Sequence, residues 1–168
     1  IPSQLNDEWM ENRSVPNLDK NDLLYVGRLR VEKGIFSLIN IIKDKNEVRL
    51  TIVGNDNKLK GFSENNIKIF DIETNQTKLI KHYDENNIFI LPSFTEGSPM
   101  VMIEALARLR PVIIFEEIKH IVGTYKGVFV SKREYSSLIK QIEFIKENYR
   151  FIQKEIETNV LPKNDNFI

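Results

Sequence analysis

The chain has no cysteine among its 168 residues, which excludes disulfide bonds and thiolate metal sites. It also has no excess of basic residues, because 24 lysines and arginines balance 24 aspartates and glutamates. A nucleic-acid-binding protein usually carries a basic excess, so we expect no nucleic-acid partner. No apolar run reaches the ~20 residues of a membrane-spanning helix, so no transmembrane segment is expected. What remains is the composition of a globular domain with room for a core.

The first residue is Ile1, not methionine, and the opening stretch is polar and contains prolines. We therefore expect the chain to be part of a longer protein. Residues 1–21 are predicted to be a linker between domains, because polar, proline-containing text is typical of irregular segments. Residues 22–168 are predicted to form one domain.

Short apolar stretches alternate with helical patterns along the rest of the chain. The predicted strands are DLLYVG, VRLTIVG, NIKIFDI, NIFILPS, PVIIF and GVFVS. They are apolar throughout, which is typical of strands buried on both faces of a parallel sheet. The sequence therefore predicts an α/β fold with a doubly wound, mainly parallel, Rossmann-like sheet. Ligands of such sheets bind beyond the carboxyl ends of the strands, so the loops after Gly27, Gly54, Leu91 and Phe115 are the places for a site.

The helical patterns between the strands predict which side chains face the core. For the first helix they are Phe36, Ile39 and Ile42, and for the helix before the fourth strand Leu79, Ile80 and Tyr83. The last pattern, REYSSLIKQIEFIKENYRFIQKEIE, predicts one long helix or two joined ones.

The loop after the first strand, VGRLRVEKG, carries two cations beside the start of a helix. It contains neither the G-x-G-x-x-G of dinucleotide-binding proteins nor a P-loop. Arg28 follows the strand directly, and Lys33 precedes Gly34 at the start of the helix. Fixed positive charge, free backbone N–H groups and the helix dipole together suit a phosphate. The alternative is a solvated surface turn, which is our interpretation of Arg30.

The stretch PSFTEGSPMVMIEALA, residues 92–107, predicts a second anion-binding element. Ser98 is a good N-cap, and Pro99 suits the first helical position. The amides of Met100 and Val101 would then lack partners within the helix and could receive an anion.

Two glutamates flank this element. Glu96 lies in the loop, at the mouth of the predicted cleft, and Glu104 lies within an otherwise uncharged helix. A buried carboxylate without partners is costly, so Glu104 must be paired or exposed. The structural interpretation is a helical ion pair with Arg108 at i+4. The functional interpretation is a carboxylate that accepts hydrogen bonds from two adjacent hydroxyls, as on a ribose.

Four stretches resemble retaining glycosyltransferases of family 4 and occur in the same order: VGRLRVEKG, LTIVGN, ILPSFTEGSPMVMIEALARLRPVI and IVGTYKGVFV. Members of this family are two-domain GT-B enzymes that use nucleotide-sugar donors. The resemblance covers residues 1–130 and is most specific in the third stretch. It implies that this chain is the C-terminal, donor-binding domain of a bacterial-type enzyme that makes a glycan or glycolipid, as in polysaccharide or lipopolysaccharide biosynthesis.

The resemblance also implies roles for individual residues. Arg28 and Lys33 match the pair that clamps the donor diphosphate and stabilises the leaving group. Glu96 matches the glutamate close to the transferred hexose-type sugar, and Glu104 matches the one that holds the ribose hydroxyls. The backbone that would face the sugar and diphosphate is that of Gly97, Ser98, Met100 and Val101.

No cofactor is implied other than a nucleotide-sugar donor, UDP- or GDP-linked, and no divalent metal. The sequence has no Asp-x-Asp, and His82 and His120 have no metal-ligand spacing. We expect His82 on the surface and give His120 a place at the edge of the cleft as an open alternative. The resemblance implies that a missing N-terminal domain binds the acceptor, and that the full-length protein is cytoplasmic and peripheral at the inner face of the membrane.

Three positions depart from the family pattern. Leu109 stands where the family often has glycine, Asp71 replaces a common glycine after the third strand, and FEEIKHIVG replaces a glycine pair after the fifth. These differences leave the base and the sugar of the donor open. They also keep open a nucleotide-binding module without transfer activity. An epimerase or a phosphorylase of the same architecture fits less well, because their patterns are absent.

Overall fold

The computed structural model describes residues 5–59, 61–62, 64–97 and 99–162. Its strands are β1 (Asp22–Val26), β2 (Arg49–Asn55), β3 (Ile67–Asp71), β4 (Ile88–Leu91), β5 (Val112–Phe115) and β6 (Val128–Ser131). They form one six-stranded sheet in the order β3-β2-β1-β4-β5-β6. Every pairing between neighbours is parallel. The predicted α/β fold with a doubly wound parallel sheet is therefore confirmed.

Five α-helices connect or follow the strands. They are α1 (Ile35–Ile42), α2 (Gln76–Glu85), α3 (Met100–Ala107), α4 (Tyr135–Glu147) and α5 (Tyr149–Glu157). Short 3-10 helices occupy Asp7–Met10, Val31–Lys33 and Glu116–Val122. The C-terminal pattern thus forms two helices, divided at Asn148. Within the described residues, no helix combines the length and the apolar character that crossing a membrane requires.

The strand order reverses between β1 and β4, which lie side by side. Because crossovers between parallel strands are right-handed, the connections made before and after this reversal lie on opposite faces of the sheet. The loops that leave β1 and β4 therefore diverge and open a crevice at the carboxyl edge. Such a switch point is where open α/β sheets bind their ligands.

The inward face of α1 differs from the prediction at one position. Ile39 and Ile42 are buried as predicted, together with Ile35 and Leu38, whereas Phe36 is 40% exposed. The buried set has the i, i+3, i+4, i+7 spacing of one helical face, and Phe36 lies about 100° away from its first member. On α2, Ile80 and Tyr83 are buried and Leu79 is partly buried against the core.

The N-terminal segment packs on the domain. Leu5 and Trp9 are 2% and 4% exposed and belong to the same hydrophobic core as the sheet. The Trp9 indole meets the Tyr83 ring edge to face, with ring centroids 5.6 Å apart. The boundary at residue 21 between linker and domain stays a prediction.

Candidate functional site

The loops after β1 and β4 meet at the switch point through one carboxylate. Lys33 Nζ lies 2.6 Å from Glu96 Oε1, and the Ser93 hydroxyl donates to the same oxygen at 2.8 Å. The Glu96 side chain is 8% exposed and that of Lys33 is 34% exposed. The backbone N–H of Phe94 also donates to the carbonyl of Glu32 at 2.9 Å. Two predicted site residues from distant parts of the sequence are thus in direct contact.

Gly34 fixes the position of Lys33 against the end of β4. Its φ is +71°, and a Cβ at this position would lie 1.9 Å from the Pro92 carbonyl oxygen. No other residue fits both the left-handed backbone and this approach without moving the chain. The loop after β1 is therefore held against the loop after β4 by backbone packing as well as by charge.

Arg28, the other predicted cation, is exposed. Among the described residues its guanidinium has neither an ion-pair nor a hydrogen-bond partner. Its carbonyl accepts from the Tyr25 hydroxyl at 2.6 Å, which fixes the backbone at the end of β1. Burial, with a smaller effect of the charges of Glu96 and Glu32, raises the pKa of Tyr25, so the phenol stays a neutral donor.

Helix α3 starts one residue later than predicted. Pro99 has an extended conformation, φ −76° and ψ 109°, and occupies the N-cap position, so the prediction that it is the first helical residue is wrong. Its carbonyl accepts from the Met102 N–H at 3.2 Å. The amides of Met100 and Val101 have no acceptor among the described residues, as the start of a helix requires. Ser98, the predicted N-cap, lies outside the described residues.

Gly97 is exposed, and a Cβ built on it meets no atom of the described residues within 4 Å. Its φ lies outside the left-handed range, so neither packing nor backbone strain requires glycine here. The space beside it opens next to Glu96 and the start of α3.

Glu104 is not paired with Arg108, so the structural interpretation of this glutamate is wrong. Arg108 is buried and forms a bidentate ion pair with Asp84, at 2.9 and 2.7 Å. Arg108 thus turns away from its helical neighbour because Asp84 binds the Nε and Nη2 edge of its guanidinium. No side chain within the described part of the molecule hydrogen-bonds the Glu104 carboxylate. Burial raises the pKa of Glu104 to about 7.

The Glu104 carboxylate lies in the wall of a pocket of about 210 Å³ at the carboxyl edge of the sheet. The other lining residues are Leu5, Trp9, Thr74, Gln76, Leu79 and Met100. A second pocket, of about 190 Å³, shares Leu79 and is lined by Val26, Gly27, Arg28, Val53, Gly54, Ile72 and Glu73. Together the two pockets extend from the end of β1 to Glu104.

Asp71, one of the departures from the family pattern, is exposed at the end of β3. The residues that follow it, Ile72 and Glu73, line the second of these pockets. The Glu73 carboxylate accepts from the Asn75 N–H at 3.0 Å, and Asn75 caps α2 through its own side chain.

The structure adds Arg133 behind the loops and places the candidate His120 beside them. Arg133 follows β6, pairs with Glu117 at 3.1 Å, and donates to the Ser93 carbonyl at 3.3 Å. Its guanidinium lies 3.8 Å from the centre of the Phe94 ring. The sequence did contain a signal for Arg133, because it follows a predicted strand and so lies at the carboxyl edge. His120 Nε2 lies 3.1 Å from the Glu96 carbonyl oxygen, which places this histidine beside the site.

The residues that replace the family's glycine pair form the 3-10 helix Glu116–Val122, held down by buried Ile118 and Ile121. His82 is partly buried, with its ring centroid 4.9 Å from that of Phe70. Among the residues that the structure describes, no three histidines or carboxylates gather in a way that could hold a metal ion.

The fold is that of a GT-B-like glycosyltransferase domain. The chain belongs to the family "Glycosyl transferases group 1", whose profile matches residues 7–159. It is 29% identical over 155 residues to the capsular polysaccharide biosynthesis glycosyltransferase CapM of Staphylococcus aureus, covering 83% of this chain and 40% of CapM. The chain thus spans less than half the length of that relative. The resemblance drawn from the motifs is confirmed at the level of this family.

Two solved structures share the fold at lower sequence identity. Sucrose-phosphate synthase of Thermosynechococcus elongatus matches with a TM-score of 0.71 at 18% identity, over 97% of this chain and 48% of that one. Anabaena HepE, solved in complex with UDP-glucose, matches with a TM-score of 0.63 at 17% identity, over 82% and 42%.

Proposed function

We propose that this chain is the nucleotide-sugar-binding half of a retaining, metal-independent GT-B glycosyltransferase of family 4. The whole enzyme would transfer a hexose-type sugar from a UDP- or GDP-linked donor to a glycan or glycolipid acceptor. The roles of Arg28, Lys33, Glu96 and Glu104 in this activity are part of the proposal. Two relatives agree with this proposal: CapM is a capsular polysaccharide biosynthesis glycosyltransferase, and HepE was solved in complex with UDP-glucose.

The observation that carries the proposal is the Glu104 carboxylate. It is largely buried and has no hydrogen-bond partner among the described residues, although Arg108 is four positions away. Burying a carboxylate without partners costs free energy, so a ligand that donates hydrogen bonds would recover this cost. Two neighbouring ribose hydroxyls are such donors, and the pocket beside Glu104 has the room of part of a nucleoside.

The two pockets that share Leu79 would form a nucleoside cleft. The diphosphate would lie between this nucleoside cleft and Glu96. Arg28 has its guanidinium free of protein partners within the described residues, and Lys33 uses one of its three N–H donors for Glu96. The amides of Met100 and Val101 add donors at the start of α3. Negative charge grows on the leaving diphosphate during sugar transfer, and fixed cations at this place would stabilise it without a metal ion.

Glu96 would serve the sugar. Its Oε1 already accepts from Lys33 and Ser93, whereas Oε2 has no partner among the described residues. An oriented carboxylate with one free oxygen suits a sugar hydroxyl. The open space at Gly97 would admit the sugar and its phosphate next to it.

The test is calorimetric titration of this chain with UDP, GDP and ADP, followed by their hexose conjugates. We expect saturable binding of one nucleoside diphosphate and a loss of about 1.5–3 kcal/mol in Glu104→Ala, the size of hydrogen bonds to a charged group. Chelation of divalent metal should leave the affinity unchanged. Unaltered affinity in Glu104→Ala would show that Glu104 does not bind the ribose. No sugar transfer is expected from this chain without an acceptor-binding domain.

A binding module without transfer activity is the second candidate. The feature that favours it is the acidic helix after β5, where Glu116 and Glu117 replace a flexible glycine pair close to the loop of Glu96. Bulkier side chains at this place would hinder the positioning of the donor sugar for transfer while leaving the nucleotide pockets unchanged. A full-length protein that binds the donor but neither transfers the sugar nor hydrolyses the donor would decide for this candidate.

A further inference from the structure

One buried guanidinium holds the N-terminal segment against the nucleoside cleft. Arg108 Nη1 donates to the carbonyls of Trp9 and Glu11 at 3.1 and 2.6 Å, and more weakly to that of Glu8 at 3.3 Å. Nη2 adds the carbonyl of Asn12 at 3.3 Å. The same guanidinium is bidentate to Asp84 on α2.

These contacts supply hydrogen-bond donors for the backbone carbonyls of the N-terminal segment. After its single 3-10 turn, Asp7–Met10, the chain is irregular, and Asn12 has a left-handed φ of 54°. Irregular backbone that packs on a core must find partners for its carbonyl groups. Arginine suits the task because its five N–H donors are fixed in one plane, so that one edge can serve Asp84 and another the carbonyls.

Arg110 reinforces the arrangement two residues further on. It is 1% exposed and donates to the carbonyls of Ser14, at 2.9 Å, and of Asp84, at 2.8 Å. At the other end, the carboxylate of Glu8 accepts from the side chains of Gln76 and Thr77, both at 2.6 Å. The segment is thus fixed to α2 and to the end of α3 on both sides of Trp9.

Trp9 connects these hydrogen bonds to the pocket beside Glu104. Its carbonyl is bound by Arg108, its ring packs on Tyr83, and its side chain lines the same pocket as Glu104. Residues from the N-terminal segment, Leu5 and Trp9, therefore complete a pocket whose other walls come from α2 and α3. A shift of the segment would open this wall.

We propose that Arg108 is a positioning residue for nucleoside binding, which acts through Trp9 and has no contact with the ligand itself. This inference rests on the proposed function, because it takes the ligand of the pocket to be a nucleoside. The N-terminal segment from Leu5 to Ser14 then moves with the donor-binding domain. The position of this segment sets the affinity for ribose and base, whereas the affinity for the diphosphate depends on Arg28 and Lys33.

The single tryptophan of the chain makes the test direct, because excitation of indole reports Trp9 alone. Arg108→Lys keeps a positive charge beside Asp84 and loses the planar fork, so the carbonyls of Trp9 and Glu11 lose their donor. We expect the emission of Trp9 in the free protein to move to longer wavelength. Affinity for UDP and for uridine should fall roughly fivefold to tenfold, about the effect of one hydrogen bond, with affinity for pyrophosphate unchanged.

The matched control is Arg49→Lys, which alters the other bidentate arginine–aspartate pair, with Asp22, at the amino ends of β1 and β2. Its Trp9 emission and its ratio of UDP to pyrophosphate affinity should equal those of the wild type. If Arg108→Lys does not fold, Asp84→Asn serves the same measurements, since it weakens the partner that orients the guanidinium.

Unchanged Trp9 emission in Arg108→Lys overturns the proposal, and so does an equal loss for UDP and pyrophosphate. A wild type that binds neither these ligands nor GDP and guanosine refutes the proposed function instead. In that case a shifted Trp9 emission in Arg108→Lys still supports the positioning of Trp9 by Arg108.

Discussion

Lys33 Nζ lies 2.6 Å from Glu96 Oε1, although 63 residues separate the two in the sequence. The pair joins the loops after β1 and β4, the two strands between which the sheet order reverses. Without a ligand, the lysine neutralises the carboxylate, and the serine hydroxyl at Ser93 orients it. A bound diphosphate would share the ammonium that Glu96 already holds in place.

We predict that Lys33→Ala weakens binding of a nucleoside diphosphate more than binding of the nucleoside, because the ammonium contacts phosphate. The variant should also unfold about 1 kcal/mol more easily, since it leaves Glu96 without its cation in a partly buried place. Calorimetric titration with UDP and uridine and urea denaturation measure the two effects.

The control for this prediction is Arg30→Ala in the same loop. Arg30 is exposed and lies 3.9 Å from Glu32, a weak surface pair, so both measurements should match the wild type. Equal losses for UDP and uridine in Lys33→Ala would mean that Lys33 supports the fold and not the phosphate.

Glu104 predicts a pH dependence of stability. Burial raises its pKa from 4.5 to about 7. A carboxyl with a higher pKa in the folded than in the unfolded state stabilises the fold fully below pH 4.5, and this contribution is lost as the pH rises through about 7. We expect it to lower the free energy of unfolding by roughly 1–3 kcal/mol between about pH 5 and about pH 8.

Glu104→Gln is the matched variant, because glutamine has the shape of a neutral glutamic acid and does not titrate. The stability difference between variant and wild type should therefore grow in favour of the variant as the pH rises, measured by urea denaturation at both ends of the range. Parallel curves for the two proteins would show that Glu104 is solvated enough to titrate normally.

A substitution at Gly97 should change ligand binding without changing stability. Its φ is not left-handed and the space around a Cβ is empty, so Gly97→Ala should leave the free energy of unfolding within about 0.5 kcal/mol of the wild type. If the sugar and its phosphate occupy that space, affinity for the sugar nucleotide falls in this variant, as titration would show. A variant with normal affinity would place the sugar elsewhere.

Leu109 explains one departure from the family pattern and gives a test of backbone strain. It has a φ of +57° at the end of α3, where its N–H donates to Leu106 and that of Arg110 donates to Ala105. These are the two hydrogen bonds of a Schellman motif, a place that favours glycine. The buried leucine side chain, 7% exposed, compensates for the strain.

We predict that Leu109→Gly and Leu109→Ala are both less stable than the wild type. Each variant removes buried apolar surface, which lowers the free energy of unfolding by ~2 kcal/mol or more. The glycine variant should be more stable than the alanine variant by about 1 kcal/mol, since alanine keeps the left-handed strain. Thermal or urea unfolding of the two variants measures the order. The reverse order would mean that residue 109 does not hold this conformation in solution.

Much of the fold could be predicted, because each strand and helix is encoded within a few residues. Apolar runs such as NIFIL indicated β4, and the Glu96 to Glu104 stretch placed a loop before a helix. The wrong predictions concern residues whose exposure or ion pairing is set by neighbours in space and not by neighbours in sequence. Phe36 is exposed since the core lies on the other side of α1, and Arg108 binds Asp84 because the guanidinium is buried against α2.

The sequence by itself determined the order of strands and helices along the chain and the family, since these depend on local patterns and on motifs with a set spacing. The tertiary structure decided which charges are paired. It joined Lys33 to Glu96, left Glu104 without a partner among the described residues, and brought Trp9 into the pocket wall. The reason is that ion pairs and pockets form between segments far apart in the chain, whose approach only the packing of helices on the sheet sets.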